Sequence, residues 1–368
     1  MPVRRLVALF DGTWNRVRTH TNVERFWRLV APVDGEGCEQ VCKYFAGLGI
    51  KSGIEHWLGG AFGLGLSGHV EEGFRWLSKS WRDGDEIWLL GFSRGAYTAR
   101  SLGGLIRKCG LLRPDADGDV PAADVAAAYA LYRNNLHPDD PAMQAFRAAH
   151  SREVLIRFIG VWDTVGSLGI PDVAAWFPFS RSHYAFHDTD LSRIVQYAYQ
   201  ALAIDEHRAA FKPAKWTRPT HTLAQGESPV AWKPEQIDVE QRWFVGAHAD
   251  VGGGEKTDGA GHRPDTLPEI PLSWMQAKAA VAGLAFREQY MPSAGAELDV
   301  PNDSYDTFLC GIYRFFEPPF NRVLGGGIHE TIDPSVWMKW HLQSSYRPPS
   351  LEIAMDKGLI EPGSSRVA

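Results

Sequence analysis

The stretch Asp85-Glu-Ile-Trp-Leu-Leu-Gly-Phe-Ser-Arg-Gly-Ala-Tyr-Thr-Ala-Arg100 constrains the fold of this chain more than any other. Ile87 to Leu90 form an unbroken apolar run, the pattern of a strand buried on both faces. From Ala96 to Ile106 the apolar residues recur at helical spacing. Gly91-Phe-Ser93-Arg-Gly95 lies between them, so the chain turns abruptly from strand into helix with a serine at the apex. Glycine on either side of that serine removes the Cβ atoms that such a turn would crowd.

Other segments repeat the strand and helix alternation. Leu6–Phe10, Val41–Phe45, Val154–Trp162 and Gln241–Gly246 read as strands. Asn22–Leu29, Val70–Trp81, Asp124–Asn134, Ile194–Asp205 and Leu272–Tyr290 read as helices, and the glycine-rich run Gly59–Gly68 as a mobile loop or loosely formed helix. This order predicts an α/β fold: a mostly parallel sheet with crossover helices on both faces. The expected organisation is one catalytic domain over residues 1–290, with residues 291–368 as a less regular C-terminal cover on the same domain.

Composition limits the function classes. A formal net charge of -6, with no long basic run, argues against nucleic-acid binding. Cys38, Cys42, Cys109 and Cys310 are too scattered for a disulfide framework and lack zinc spacing. No apolar run approaches the roughly 20 residues of a membrane span, and the N-terminus carries no signal-peptide pattern. The expectation is a protein that is cytoplasmic as synthesised, with any export by a signal-independent route.

A serine hydroxyl needs a base to become a nucleophile, and an imidazole acting as base needs a carboxylate to fix its tautomer. In parallel sheets the reacting groups collect beyond the carboxyl ends of strands. Downstream of Ser93, Asp163 follows the Val154–Trp162 strand and His248 follows the Gln241–Gly246 strand, in the order Ser, Asp, His that this architecture uses. His329, after Gly325-Gly-Gly327, is the rival base. Asp250 is the rival acid, or else a brace for the glycine turn. The amide of Arg94 is the expected first donor to an oxyanion, with Gly12 or Thr13 as the second. Asp11 reads equally well as a turn-capping residue. The run Asp11-Gly-Thr13 also resembles part of the haloacid-dehalogenase phosphatase motif, but Leu9 stands where that family has its nucleophilic aspartate. Asp11, Asp163 and Asp250 could instead meet as oxygen ligands of a hard cation such as Ca²⁺. That leaves, as the alternative to a hydrolase, a metal-dependent or non-catalytic binding module on the same fold.

Leu9-Phe-Asp-Gly-Thr-Trp-Asn15, Gly91-Phe-Ser-Arg-Gly-Ala96, Gly160-Val-Trp-Asp-Thr-Val-Gly166, Ala201-Leu-Ala-Ile-Asp-Glu206 and Gly246-Ala-His-Ala-Asp-Val-Gly-Gly-Gly254 together resemble the α/β-hydrolase family catalogued as domain of unknown function 2235. That family includes type VI secretion lipase effectors of the first class. The resemblance runs from about Leu6 to about Ala285. It implies an α/β-hydrolase-like fold and a serine esterase or lipase, phospholipase A-like, working without a cofactor through Ser93, Asp163 and His248. It further implies an acyl-ester substrate, membrane phospholipid or another acyl ester, and an immunity or secretion-apparatus protein as a partner to be tested. Asp205, Glu206, Arg208 and Phe211 also fit the family pattern and read as a structural ion pair bracing a helix.

Overall fold

The computed structural model describes residues 3–12, 20–47, 61–165, 191–217, 236–254, 265–307, 314 and 317–367. Its centre is a seven-stranded sheet built from β1 (Arg5–Phe10), β2 (Gln40–Phe45), β3 (Glu86–Phe92), β6 (Ile156–Trp162), β7 (Val195–Ala203), β8 (Asp238–Phe244) and β9 (Glu330–Ile332). The spatial order is β2-β1-β3-β6-β7-β8-β9, and each neighbouring pair is parallel. Two short strands, β4 (Leu111–Leu112) and β5 (Ser151–Arg152), pair antiparallel apart from it. The helices are α1 (Asn22–Leu29), α2 (Ala61–Ser80), α3 (Arg94–Cys109), α4 (Ala122–Tyr132), α5 (Pro141–His150), α6 (His248–Gly252), α7 (Glu269–Ala282), α8 (Ser304–Thr307), α9 (Pro334–Leu342) and α10 (Pro349–Asp356).

Both faces of the sheet are covered, so the neighbouring strands β1, β3 and β6 are apolar at nearly every position. On β1, Leu6, Ala8 and Phe10 point into one core with Phe74 and Leu77 of α2 and Leu102 of α3. Val7 and Leu9 point the other way, onto Val23 and Phe26 of α1 and Leu272 and Met275 of α7. The fold is therefore α/β, as the alternation of segments implies, and α/β-hydrolase-like, as the family resemblance implies. Among the described residues no helix is long and apolar enough to cross a membrane.

Several element expectations are corrected. Within residues 194–205, whose Val195, Tyr199 and Leu202 suggest a helical stripe, lies β7 (Val195–Ala203), an inner strand of the sheet. Ala198 packs into one core and Tyr197 and Tyr199 into the other, and a strand buried on both sides offers apolar residues at every spacing, including 3.6. The helix expected to run from Leu272 to Tyr290 stops at Ala282, where Gly283 takes a left-handed φ of 114°. Of the two readings of Gly59–Gly68, mobile loop or loosely formed helix, the helical one holds from Ala61, where α2 begins, with Gly59 and Gly60 outside the described residues. Residues 291–368 are more regular than expected. Among the described residues they supply the edge strand β9 and the helices α8, α9 and α10; α9 is begun by Asp333, whose side chain accepts from the Ser335 amide, with Pro334 in the first turn.

Candidate active site

The turn after β3 is held by contacts that exclude side chains. A Cβ at Gly91 would lie 2.4 Å from the Gly95 carbonyl oxygen, and one at Gly95 would lie 2.1 Å from the carbonyl oxygen of Phe10, the last residue of β1. Ser93 between them adopts φ 57°, ψ -120°, a conformation that residues with a Cβ rarely accept and that surrounding structure must enforce. Its amide donates to the Trp162 carbonyl at 3.0 Å. This fixes the serine against the end of β6, directly above the N-terminus of α3.

Three strand ends converge there. Asp163 follows β6 in another left-handed conformation, φ 40°, its amide donating to Ala201 of β7 at 2.8 Å. His248 opens α6, just past β8. Its Nε2 is 2.8 Å from Ser93 Oγ, and its Nδ1 is 2.6 Å from Asp163 Oδ2. With Nδ1–H donating to the carboxylate, Nε2 is left to accept from the serine hydroxyl. A serine bonded in this way can pass its proton to the imidazole as it attacks a carbonyl. Phe92 and Phe211 flank the imidazole, with ring centroids 4.7 Å and 5.0 Å away.

Burial sets the electrostatics. Removal from water pulls the His248 imidazole below its ordinary value, against the hydrogen bond and charge of Asp163, which raise it. Burial alone would push the Asp163 carboxyl up. The charge of Arg322 and the hydrogen bonds from His248 and Arg322 more than offset this and hold it far below the usual carboxylate range. Glu206, past the end of β7, is likewise buried, yet Arg208 keeps it ionised, with its pKa down at about 2. Arg208 donates to Glu206 through Nε at 2.8 Å and through a terminal nitrogen at 2.7 Å. The Glu206 carboxylate also accepts from the His248 amide at 3.2 Å and from Ser304 Oγ at 3.1 Å. The Glu206–Arg208 pair thus braces the first turn of α6, the turn that presents His248.

The remaining candidates stand elsewhere. His329 hydrogen-bonds through Nδ1 to the carbonyl of Val239 at 3.1 Å, near the start of β8, whereas His248 lies past that strand's far end. Asp250 accepts from the Ala247 and Asn302 amides at 2.7 Å and 2.9 Å, so it braces the glycine turn. Asp11 accepts from Gly12 N at 2.7 Å and from Thr21 Oγ1 at 2.6 Å, which makes it a turn cap. Gly12, expected to aim its amide at an oxyanion, here gives it to Asp11, and Thr13 lies outside the described residues. Asp11, Asp163 and Asp250 each have separate partners. Among the described residues no group of three His, Cys, Asp or Glu side chains is arranged to hold a metal ion.

Arg322 is the site residue that the sequence did not reveal. Fully buried, it grips Asp163 with both terminal nitrogens, 2.6 Å to Oδ1 and 2.9 Å to Oδ2. It lies between Phe320 and Leu324 in a segment without periodicity or motif. Its only sequence signal is a charge within a short run that also holds Phe320, Val323 and Leu324.

A model of the family described as "T6SS, Phospholipase effector Tle1-like, catalytic domain" matches residues 4–278. An uncharacterized protein of Saccharomyces cerevisiae, YEL023C, is 28% identical over 235 residues, 58% of this chain and 33% of the yeast protein. The solved structure described as the Tle1 effector bound to the VgrG spike of the type 6 secretion system has 16% identity and a TM-score of 0.42, over 71% of this chain and 53% of that one. An uncharacterized protein from Pseudomonas aeruginosa has 19% identity and a TM-score of 0.43, over 80% and 48% of the two chains. The chain therefore spans between a third and about half of the length of these relatives. The family match includes Ser93, Asp163 and His248 and ends before Arg322.

Proposed function

The chain belongs to the family of Tle1-like phospholipase effector catalytic domains of type VI secretion, and on that premise we propose that it hydrolyses carboxylic acyl esters, with phospholipid as the substrate class, through a covalent acyl-enzyme on Ser93. The observation that carries the reading is the continuous line of Ser93 Oγ, His248 and Asp163, with hydrogen bonds of 2.8 Å and 2.6 Å.

In this reading the Ser93 oxygen attacks the ester carbonyl while its proton passes to His248 Nε2. Asp163 holds Nδ1–H and steadies the imidazolium that forms. The Arg94 amide, in the first turn of α3, donates to the oxyanion, where the aligned peptide dipoles of the helix also favour negative charge. His248 then returns the proton to the leaving alkoxide, and the alcohol departs. Water enters and attacks the acyl carbonyl as it gives a proton to His248, which passes that proton to Ser93 Oγ as the acid leaves. The depressed basicity of His248 keeps its ring neutral and ready to accept a proton at neutral pH.

The test is a side-by-side screen of short-chain esters, triglycerides and phospholipid vesicles, with the wild type and Ser93→Ala. Release of fatty acid from phospholipid by the wild type, lost in a folded Ser93→Ala, is the expected result. Activity confined to short-chain esters would remove the phospholipid assignment. Undiminished activity in Ser93→Ala would remove the mechanism.

A further inference from the structure

We propose that Arg322, contributed by the segment after the matched catalytic region, is a positioning residue that fixes the Asp163 carboxylate and sets the pH at which His248 can act. The inference rests on the reading of Ser93, His248 and Asp163 given above.

The geometry is that of a clamp. The two terminal nitrogens of Arg322 take one oxygen each of Asp163, and each also donates to a backbone carbonyl: Ala203 at the end of β7, 2.9 Å, and Phe211, 2.7 Å. One guanidinium therefore ties the carboxylate to the strand beside it and to the turn whose Phe211 ring packs on His248. A planar fork that holds two carboxylate oxygens and two carbonyls fixes the carboxylate's orientation in a way that a single ammonium cannot. Among the described residues Arg322 Nε has no hydrogen-bond partner. The burial of that unpaired donor is a cost that general folding stability does not require, since an apolar residue could fill the space more cheaply.

The charges facing His248 determine the sign of the effect. Asp163, beyond β6, and Glu206, beyond β7, favour the imidazolium, while Arg208 and Arg322 oppose it. Ser93 is neutral. Asp205 is turned onto the Gly246 amide and Tyr346, and Asp250 onto Ala247 and Asn302. With His248 neutral, the four charged groups cancel. Without Arg322 they sum to one negative charge, which attracts a proton to the site. Either the imidazole holds its proton to higher pH, or Asp163 itself becomes easier to protonate. Both move the acid limb of the pH–rate profile in the same direction, upward.

The test is the pH dependence of kcat/KM on a soluble ester for the wild type, Arg322→Met and Arg322→Lys, with folding checked by circular dichroism. Arg322→Met is expected to raise the acid limb by about one pH unit, the lower end of what one neighbouring charge does to a buried group. Arg322→Lys keeps the charge but not the fork, so its limb should stay near that of the wild type while kcat/KM falls at least tenfold. A purely structural arginine would lower the rate at every pH without moving the limb, and that result in Arg322→Met overturns the charge effect. If Arg322→Met does not fold, Arg322→Lys still decides the matter, because wild-type kcat/KM in that variant overturns the positioning role. His248→Ala separates this inference from its premise. If that variant retains activity, the serine-hydrolase reading fails whatever Arg322 does.

Discussion

Glu206→Gln removes one negative charge beside the candidate site with little change of shape, and its cost can be worked out in two ways. The carboxylate binds Arg208 with two bonds of 2.8 Å and 2.7 Å and is shut off from solvent. Breaking one partner of such a buried pair costs about 3–5 kcal/mol, because the other charge is left uncompensated. Linkage gives a similar figure. A carboxyl held at about 2 when folded, against an ordinary 4.5, contributes about 3 kcal/mol at neutral pH. Because the folded value is depressed, this contribution is complete above pH 4.5 and disappears as the pH falls through about 2. Urea denaturation of the wild type and Glu206→Gln at pH 7 should therefore differ by about 3 kcal/mol, and the difference should shrink steadily below pH 4.5. A difference below about 0.5 kcal/mol at pH 7, the range of an ordinary surface substitution, would refute the reasoning. So would a difference that does not change with acid.

Other consequences are equally open to measurement. Gly95→Ala would put a Cβ 2.1 Å from the Phe10 carbonyl oxygen, a backbone atom that cannot swing aside. It should destabilise the fold by about 3 kcal/mol or more in thermal unfolding. Unchanged stability would contradict the close approach of α3 to β1. Burial draws the His248 imidazole below 6.5, so the acid limb of the wild-type kcat/KM should have its midpoint below that pH, and a midpoint above 7 would contradict it. His329→Ala should leave kcat/KM within about threefold of wild type, while His248→Ala lowers it by at least about 10³-fold, on the scale of losing a general base. The reverse order would exchange their roles.

The serine turn, the fold class and the line of three side chains were legible because each depends on a local signal. Gly91 and Gly95 mark the turn by what they lack. Asp163 and His248 are recognisable from the apolar strands that end just before them. The apolar set of β7 makes a helical stripe and equally suits a strand covered on both faces, and periodicity alone cannot separate the two. Arg322 could not be read because its role comes from a contact 159 residues distant in sequence. Nothing in Phe320-Asn-Arg-Val-Leu324 reports that a carboxylate waits there. Glu206 and Arg208 were recognised as an ion pair, but their hold on the His248 amide appears only when β7 and β8 lie side by side.

The central claim is that Ser93 is a nucleophile activated by His248, and covalent labelling tests it most directly. The native protein, treated with a fluorophosphonate probe and digested, should carry a single adduct on the peptide containing Ser93. That adduct should be absent from His248→Ala and from acid-unfolded wild type. No adduct on Ser93 in the native protein, or equal labelling with His248 replaced, would contradict the account.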